Sequence, residues 1–176
     1  MVDTVLVVID VQNIMFETEG HVPFEGGRVV KTIEGLIRDA REHGVPVHYI
    51  QHTTRGAGSE FEQDSHNWFI RPEIAPKQGD TLSLKHSYDG FWNTDLDAIL
   101  KKLGAKKLVF CGLQTECCVD TTVRSGLAYG YESVLIGDAH TSYDNGVLTG
   151  EQIVAHHNQT LHNRFCRVVM AGDFSF

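Results

Sequence analysis

The amino-acid sequence predicts an α/β fold, a three-layer α/β/α arrangement around a mostly parallel sheet of about six strands. Short apolar runs of strand-forming residues alternate with segments whose apolar residues recur at helical spacing. The first elements read strand, helix and strand, an order that gives a right-handed βαβ unit and therefore parallel strands. The chain has 176 residues and no internal repeat, so residues 1–176 are predicted to form a single domain.

Six segments are predicted to be strands because each is short, apolar and bounded by glycine, proline or polar residues. They cover residues 4–9, 45–51, 81–84, 108–111, 132–137 and 166–170. Four helices are predicted over residues 28–43, 94–104, 116–130 and 149–164. Local signals mark their ends: Gly44 follows the first helix, and Thr149 with Gln152 forms a capping box at the start of the last.

Two segments lack a regular pattern and are predicted to be loops. The loop over residues 11–19 contains Phe16, a candidate for the wall of a substrate pocket. The loop over residues 53–80 is long for a compact domain, and loops of this length are usually functional or form contacts. It fits either a lid or a subunit interface. Further pocket candidates are Trp68 in this loop, and Phe91 and Trp92 after the third strand.

Charge and composition exclude several classes of partner. The chain has 15 basic and 23 acidic residues, a formal net charge of −8. Nucleic acids and anionic membranes bind clustered positive charge, so neither is an expected partner.

The N-terminal apolar run lacks a basic flank and is too short for a signal peptide or a membrane span. Four cysteines do not make a disulfide framework in a chain of this size, so a reducing, cytoplasmic location is predicted.

Three chemically active residues are placed where predicted strands end. Asp10 follows the first strand and Lys85 the third, while Cys118 lies just beyond the fourth, in the first turn of a helix that Thr115 is predicted to cap. The carboxyl ends of parallel strands lie along one edge of a sheet, where ligands bind. A carboxylate, an ammonium group and a thiol at that edge are suited to nucleophilic acyl transfer.

The position of this thiol also predicts its ionisation. Unpaired N–H groups and the helix dipole favour an anion at a helix start, so a thiolate is expected there. Spacing alone does not choose between Cys117 and Cys118, and alternatives are a small packing residue or a redox-sensing thiol pair. A sensor needs no proton shuttle, so Asp10 and Lys85 argue against that alternative.

Three motifs, in order and spanning nearly the whole chain, resemble the isochorismatase-like cysteine hydrolase family. They are D-x-Q-N at residues 10–13, Lys85 followed by Phe91, and G-x-x-T-x-x-C-V-x-x-T at residues 112–122. The resemblance implies a Rossmann-like fold, a small-molecule substrate, no cofactor, and a homodimer or larger homo-oligomer. Cys111 and Cys166 fall outside the motif and are expected in the core.

The same resemblance assigns roles within the site. It selects Cys118 rather than Cys117 as the nucleophile, with Asp10 and Lys85 completing a catalytic triad. It also implies a cis peptide bond between residues 113 and 114 (Leu113 and Gln114), and an oxyanion hole formed by the backbone N–H groups of Gln114 and Cys118.

Differences between branches of the family narrow the expected reaction. The nicotinamidase branch places D-x-H after the second strand, whereas this chain has Gln-His-Thr-Thr at residues 51–54, so no metal site is expected. The thiol favours cleavage of an amide or lactam C–N bond through a thioester acyl-enzyme. Vinyl-ether hydrolysis, which needs no thiol attack, is the alternative. Residues 111–124 and 144–161 are similar in motif to streptothricin hydrolase-like members, which cleave a cyclic amide.

Overall fold

The computed structural model of the protein describes residues 3–56 and 58–176. Within them, six strands form one sheet in the order β3-β2-β1-β4-β5-β6, and every neighbouring pair is parallel. The strands are β1 Thr4–Ile9, β2 Val47–His52, β3 Thr81–Lys85, β4 Lys107–Leu113, β5 Glu132–Thr141 and β6 Arg167–Val169. The predicted α/β fold is confirmed, and the sheet is entirely parallel.

Helices cover both faces of this sheet. They are α1 Ile14–Glu17, α2 Gly26–Glu42, α3 Leu96–Leu103, α4 Asp120–Ala128 and α5 Gly150–Leu161. Apolar residues of α2, among them Val29 and Ile33, pack against one face of the sheet. Apolar residues of α3, α4 and α5, among them Leu100, Val123 and Leu161, are buried with the opposite face. These two apolar layers confirm the three-layer arrangement.

Local sequence signals account for the helix ends. Gly44, with a φ of 69°, follows the end of α2 in the left-handed conformation that terminates helices. Helix α5 begins with the predicted capping box. The Thr149 hydroxyl accepts a hydrogen bond from the Gln152 N–H, and the Gln152 side chain accepts one from the Thr149 N–H.

Strands β4 and β5 are longer than predicted, and their pairing is interrupted. Phe110 pairs with Leu135, and Gly112 pairs with His140. A step of two residues along β4 therefore corresponds to a step of five residues along β5. The extra residues of β5 form a bulge that shifts the register. The shifted end of β5 therefore lies beside the end of β4, next to the segment that carries the predicted nucleophile.

The ends of β1 and β4 are in unusually close contact. Gly112 has a φ of 128°, and a Cβ atom there would lie 2.0 Å from the carbonyl oxygen of Ile9. Only glycine fits such a position. Asp10, the residue after Ile9, has a φ of 49° and turns the chain away from the strand. This backbone geometry places the end of β1 directly against the end of β4.

Both predicted loops contain short helical turns, α1 in the first and a 3-10 turn at Pro72–Ile74 in the second. Buried amides tie the long loop to the sheet. The side-chain N–H groups of Gln12 and Gln51 both donate to the carbonyl oxygen of Trp68, at 2.7 and 2.8 Å. None of the helices in the described ranges has the length and apolar character needed to span a membrane.

Candidate active site

Asp10, Lys85 and Cys118 come together at the carboxyl edge of the sheet. Asp10 directly follows β1, Lys85 ends β3, and Cys118 lies in the turn after β4. The Lys85 Nζ atom is 2.6 Å from Asp10 Oδ2 and 3.0 Å from Cys118 Sγ. The side chains of Lys85 and Asp10 are 0% and 3% exposed. The ammonium group therefore joins the carboxylate to the thiol in a site shielded from water.

The Lys85 ammonium group has four neighbours but only three protons. Besides Asp10 and Cys118, it contacts His52 Nδ1 at 2.9 Å and the carbonyl oxygen of Ser87 at 3.0 Å. A carboxylate, an imidazole nitrogen and a carbonyl oxygen all accept hydrogen bonds better than a thiol sulfur. The three protons are therefore matched by those acceptors. With all three protons used, none is left for the sulfur, and the site at rest therefore contains an ion pair of Asp10 and Lys85 and a neutral thiol.

The pKa shifts agree with this assignment and correct the expectation of a thiolate. Burial raises the pKa of the Cys118 thiol. The negative charge of Asp10 raises this pKa further, whereas the positive charge of Lys85 lowers it by less than the other two effects raise it. Burial lowers the pKa of Lys85, but the attraction of the Asp10 carboxylate makes the net shift upward. The predicted thiolate is wrong for the resting protein, because a second anion beside Asp10 in a dry site is unfavourable.

A transfer of the thiol proton to Asp10 would let the sulfur become nucleophilic without a second negative charge beside the carboxylate. Asp10 Oδ1 is buried and has no hydrogen bond partner among residues 3–56 and 58–176. The reactive atoms of Asp10 and Cys118 lie within 4.8 Å of each other. The carboxylate is thus placed to receive the thiol proton as the sulfur attacks, which keeps the net charge of the triad unchanged.

The turn that carries Cys118 is wider than an α-helical turn. Thr115–Val119 forms a π-helical turn, in which the Val119 N–H donates to the carbonyl oxygen of Gln114, five residues earlier, at 3.1 Å. Such turns are rare and frequently occur at functional sites. The prediction that Thr115 caps this helix is wrong. Its hydroxyl is instead 2.8 Å from His140 Nδ1.

The four cysteines have distinct environments, and all of them are free thiols. Cys118 is 8% exposed and lines a cavity, whereas its neighbour Cys117 is half-buried and does not. Cys111 and Cys166 are buried in the apolar core, as predicted. Burial raises the pKa of both, for Cys166 to about 12. Cys118 is the cysteine in contact with both Lys85 and the cavity.

The peptide bond between Leu113 and Gln114 is cis, at the position that the resemblance implies. Gln114 and Cys118 both line the cavity, as the expected oxyanion hole requires. The role of their N–H groups as oxyanion donors stays a prediction.

A buried chain of hydrogen bonds holds Thr115, at the start of the π-helical turn that carries Cys118. The Asn158 Nδ2 group donates to the carbonyl oxygen of Gly137, so Asn158 Oδ1 faces His140 Nε2, at 2.9 Å. A carbonyl oxygen only accepts, so His140 carries its proton on Nε2 and accepts from the Thr115 hydroxyl at Nδ1. His140 was not predicted as a site residue, because it lies in the extended end of β5, beyond the predicted strand.

This chain of hydrogen bonds predicts acid sensitivity. Burial lowers the pKa of His140 to about 4, whereas an imidazole in the unfolded chain titrates near its ordinary value of about 6.5. Between these values the unfolded chain binds a proton that the folded protein does not, so the contribution of His140 to stability is complete above pH 6.5 and is lost as the pH decreases toward 4. The shift corresponds to about 3 kcal/mol of the free energy of unfolding.

Urea unfolding at pH 7, 5.5 and 4 measures this effect. The His140→Gln variant should be less stable than the parent protein at pH 7, but should lose about 3 kcal/mol less between pH 7 and pH 4. Parallel stability curves for the two proteins would contradict the assignment of a neutral His140.

The cavity above the triad has a volume of about 420 Å³. In the part of the chain that the structure describes, it is lined by Asp10, Ile14, Met15, Thr18, His21, His52, Thr54, Glu60, Phe61, Tyr88, Gln114, Cys118 and Tyr143. Cys118 and Asp10 form part of its wall, so a substrate inside it would reach both. The remaining wall combines aromatic, apolar and polar side chains.

The four aromatic residues predicted to form the pocket do not line this cavity, and the prediction is corrected accordingly. Phe16 packs against the apolar core beside α2, and Phe91 is buried in the core on the opposite face. The indole N–H of Trp68 donates to the Thr53 hydroxyl at 2.8 Å. Trp92 is 59% exposed and borders a separate depression. Closeness to Lys85 in sequence, for Phe91 and Trp92, and position in a predicted loop, for Phe16 and Trp68, did not indicate which way these side chains point.

The site also contains a set of possible metal ligands. One donor atom from each of Asp10, His52 and Cys118 lies within 4.8 Å of the others. The Lys85 ammonium group contacts all three residues, at 2.6, 2.9 and 3.0 Å. A positive charge already occupies the position between the donors, so the arrangement fits a lysine and not a metal cation. The predicted absence of a metal from the reaction stays a prediction.

His52 was missed as a site residue, although it ends β2 between the strands that end at Asp10 and Lys85. Applying the strand-end rule to β2 would have found it. Gln12 fixes its backbone, accepting from the His52 N–H at 2.9 Å and donating to its carbonyl oxygen at 3.0 Å. Burial and the Lys85 charge lower the pKa of His52. His52 is therefore neutral at pH 7, which lets Nδ1 accept from Lys85.

Comparison with known proteins identifies the family of the chain. The family model described as the isochorismatase domain matches residues 4–170. Streptothricin hydrolase from Streptomyces noursei is 34% identical over 140 residues, which are 79% of this chain and 50% of that protein. The ureidoacrylate amidohydrolase RutB from Azorhizobium caulinodans is 28% identical over an alignment 171 residues long, which covers 78% of this chain and 75% of that protein.

Similarity in structure covers almost the whole chain. The crystal structure of an isochorismatase from Pseudomonas putida has a TM-score of 0.91 and 26% sequence identity, covering 98% of this chain and 90% of that one. The match of the family model to nearly all of the sequence agrees with this likeness in fold. The chain therefore belongs to the isochorismatase family of hydrolases.

Proposed function

We propose that this protein is a metal-independent cysteine amidohydrolase that cleaves an amide or lactam C–N bond through a thioester acyl-enzyme. The observation that carries the proposal is the contact of Lys85 with both Asp10 and Cys118 at the wall of the cavity. A relative named as an amidohydrolase and another named streptothricin hydrolase support chemistry at a C–N bond.

The first half of the reaction forms the acyl-enzyme. The Cys118 sulfur attacks the substrate carbonyl carbon while its proton passes to Asp10, so the carbonyl π-bond becomes an oxyanion. The N–H groups of Gln114 and Cys118 stabilise that oxyanion. Asp10 then gives the proton to the leaving nitrogen, the C–N bond breaks, and a thioester remains on Cys118. Lys85 keeps its proton throughout and stabilises whichever partner carries the negative charge.

The second half restores the enzyme. A water molecule attacks the thioester carbon as Asp10 removes one of its protons. The second tetrahedral intermediate collapses, the C–S bond breaks, and the sulfur recovers the proton from Asp10. The products are a carboxylic acid and an amine, or a single ring-opened amino acid when the substrate is a lactam.

A thiol sensor fits the site less well. Redox-sensing cysteines are exposed and have a low pKa. Cys118 is buried and its pKa is raised. Cys117 is half-buried, and burial and Glu116 raise its pKa as well.

The proposal also includes a cytoplasmic location and a homo-oligomeric assembly. Four free cysteines suit a reducing compartment. Tyr88, Trp92 and Tyr129 are large side chains at least half exposed, of the kind enriched in subunit interfaces.

A substrate screen tests the proposed reaction. Purified protein is incubated with lactams and small primary amides, and ammonia or ring-opened product is measured. Acid quenching followed by peptide mapping should show an acyl adduct on Cys118, and a Cys117→Ala protein should form the same adduct at a similar rate. Turnover of a C–N substrate with the adduct on another residue, or on none, would contradict the thioester mechanism.

A further inference from the structure

The charges in the wall of the cavity are one-sided. Of the lining residues in the described ranges, Asp10 and Glu60 are acidic, and neither lysine nor arginine is present. Asp10 is neutralised by its ion pair with Lys85. His52 is held neutral because it accepts a hydrogen bond from the same ammonium group. Beyond the triad, Glu60 is therefore the anionic side chain among the described lining residues, and the imidazole of His21 is a further titratable group there.

Glu60 is available to a ligand. Its side chain lines the cavity and the residue is exposed. Its carboxylate makes no salt bridge with any lysine, arginine or histidine in the described residues. An exposed carboxylate without a counter-ion attracts cations and repels anions, by an amount that solvent and salt reduce.

Aromatic rings share the cavity with Glu60. Phe61, Tyr88 and Tyr143 all contribute to the wall. The faces of aromatic rings attract ammonium and guanidinium groups, and several rings together with a carboxylate form a recognised pattern for binding organic cations. The Tyr143 hydroxyl donates to the carbonyl oxygen of Met15, which fixes the orientation of that ring.

We propose that the cavity selects amides that carry an ammonium or guanidinium group and excludes amides that carry a carboxylate, with Glu60 as the specificity-determining residue. That the substrate is an amide rests on the proposed function, whereas the preference for cations rests on the residues of the cavity wall. Glu60 lines the same cavity but is not a member of the ion-paired triad, so catalysis and selection use different groups.

A charged series of thiol reagents tests the preference without any substrate. Cys118 is modified in a Cys117→Ala protein at pH 8 with three methanethiosulfonates: the cationic aminoethyl, the neutral methyl and the anionic sulfonatoethyl reagent. The rate of each reagent with the protein is divided by the rate of the same reagent with 2-mercaptoethanol, so that differences in intrinsic reactivity are removed. The cationic reagent should react about three- to tenfold faster than the neutral one, and the anionic reagent should be slower by a similar factor.

The Glu60→Gln variant, made in the same protein, should remove most of this difference. Asp64→Asn is the matched control, since it removes one negative charge from the same loop at an exposed residue that does not line the cavity. Asp64 has a φ of 66°, a conformation that asparagine tolerates. The control should keep the full preference. Equal normalised rates for the three reagents, a faster anionic reagent, or an unchanged ratio in Glu60→Gln would overturn the proposal.

An amide series then extends the test to turnover. Ammonia release is compared for 4-aminobutyramide, butyramide and succinamate, which carry a positive, zero and negative charge at similar length. The order cationic, neutral, anionic supports the proposal, and the reverse order overturns it. If none of the three is hydrolysed, the proposed function loses support, while the preference for cations is decided by the thiol reagents alone.

Discussion

Replacing Cys118 with alanine should lower turnover of an amide substrate by about 10⁴-fold or more, with substrate binding retained. The substitution removes the atom that forms the thioester and leaves the rest of the cavity in place. Asp10→Asn should lower the rate by about 10²–10⁴-fold, the range for a positioned acid–base group. Steady-state kinetics on the substrate found by screening, with calorimetric titration of that substrate into the Cys118→Ala protein, measures both effects.

Two comparisons make this result specific. Cys117→Ala removes the neighbouring thiol, which is outside the cavity, and should leave the rate within about twofold. The Asp10→Asn, Cys118→Ala double variant should be little slower than Cys118→Ala alone, because residues that act as one unit are not additive. Full activity in Cys118→Ala would instead exclude a thioester on Cys118, and it would leave the vinyl-ether reaction, in which Asp10 protonates carbon and no acyl-enzyme forms, as the alternative for the natural substrate.

Lys85→Met should lower the free energy of unfolding by about 3–5 kcal/mol, as expected when one partner of a buried ion pair is removed. Lys85 is fully buried and is 2.6 Å from the Asp10 carboxylate, which would be left as an uncompensated buried charge. Combining Lys85→Met with Asp10→Asn removes both charges and should recover at least half of the loss. Urea unfolding of the two single variants and the double variant measures this coupling.

Lys101→Met provides the matched control for that experiment. Lys101 forms an ion pair with Asp97 at the same 2.6 Å, but its side chain is 70% exposed. Removing an exposed partner should change stability by no more than about 0.5 kcal/mol. If Lys85→Met were as mild as Lys101→Met, the buried Asp10 would not depend on Lys85, and the assigned role of the ammonium group would be wrong.

The fold and the three triad positions follow from the sequence because both depend on short-range signals. Apolar runs mark the strands, and in a parallel sheet each strand delivers its last residue to the same edge. Asp10 and Lys85 lie at such strand ends, so the order of the strands in the sheet is enough to bring the two residues together. The choice of Cys118 over Cys117 needed more than spacing and came from the motif at residues 112–122.

Other features depend on contacts that no local pattern records. The ionisation of Cys118 was mispredicted because a helix start favours a thiolate, whereas burial beside Asp10 favours the neutral thiol. The partner of Thr115 is His140, which reaches it only through a bulge in β5. The cavity wall comes from several separate segments, so the aromatic residues nearest in sequence to Lys85 were poor guides to it.

The strand order also bears on how the protein acquires its activity. Asp10 follows β1, Lys85 ends β3 and Cys118 lies after β4, and β2 lies between β1 and β3 in the sheet. No two of the three are neighbours along the chain, so each contact closes a long loop, and parallel pairing of this kind is slow to form. Four strands must be docked before Lys85 can meet both partners. In a refolding experiment, recovery of enzymatic activity therefore reports completion of the central sheet, and it should lag behind the helical signal of circular dichroism.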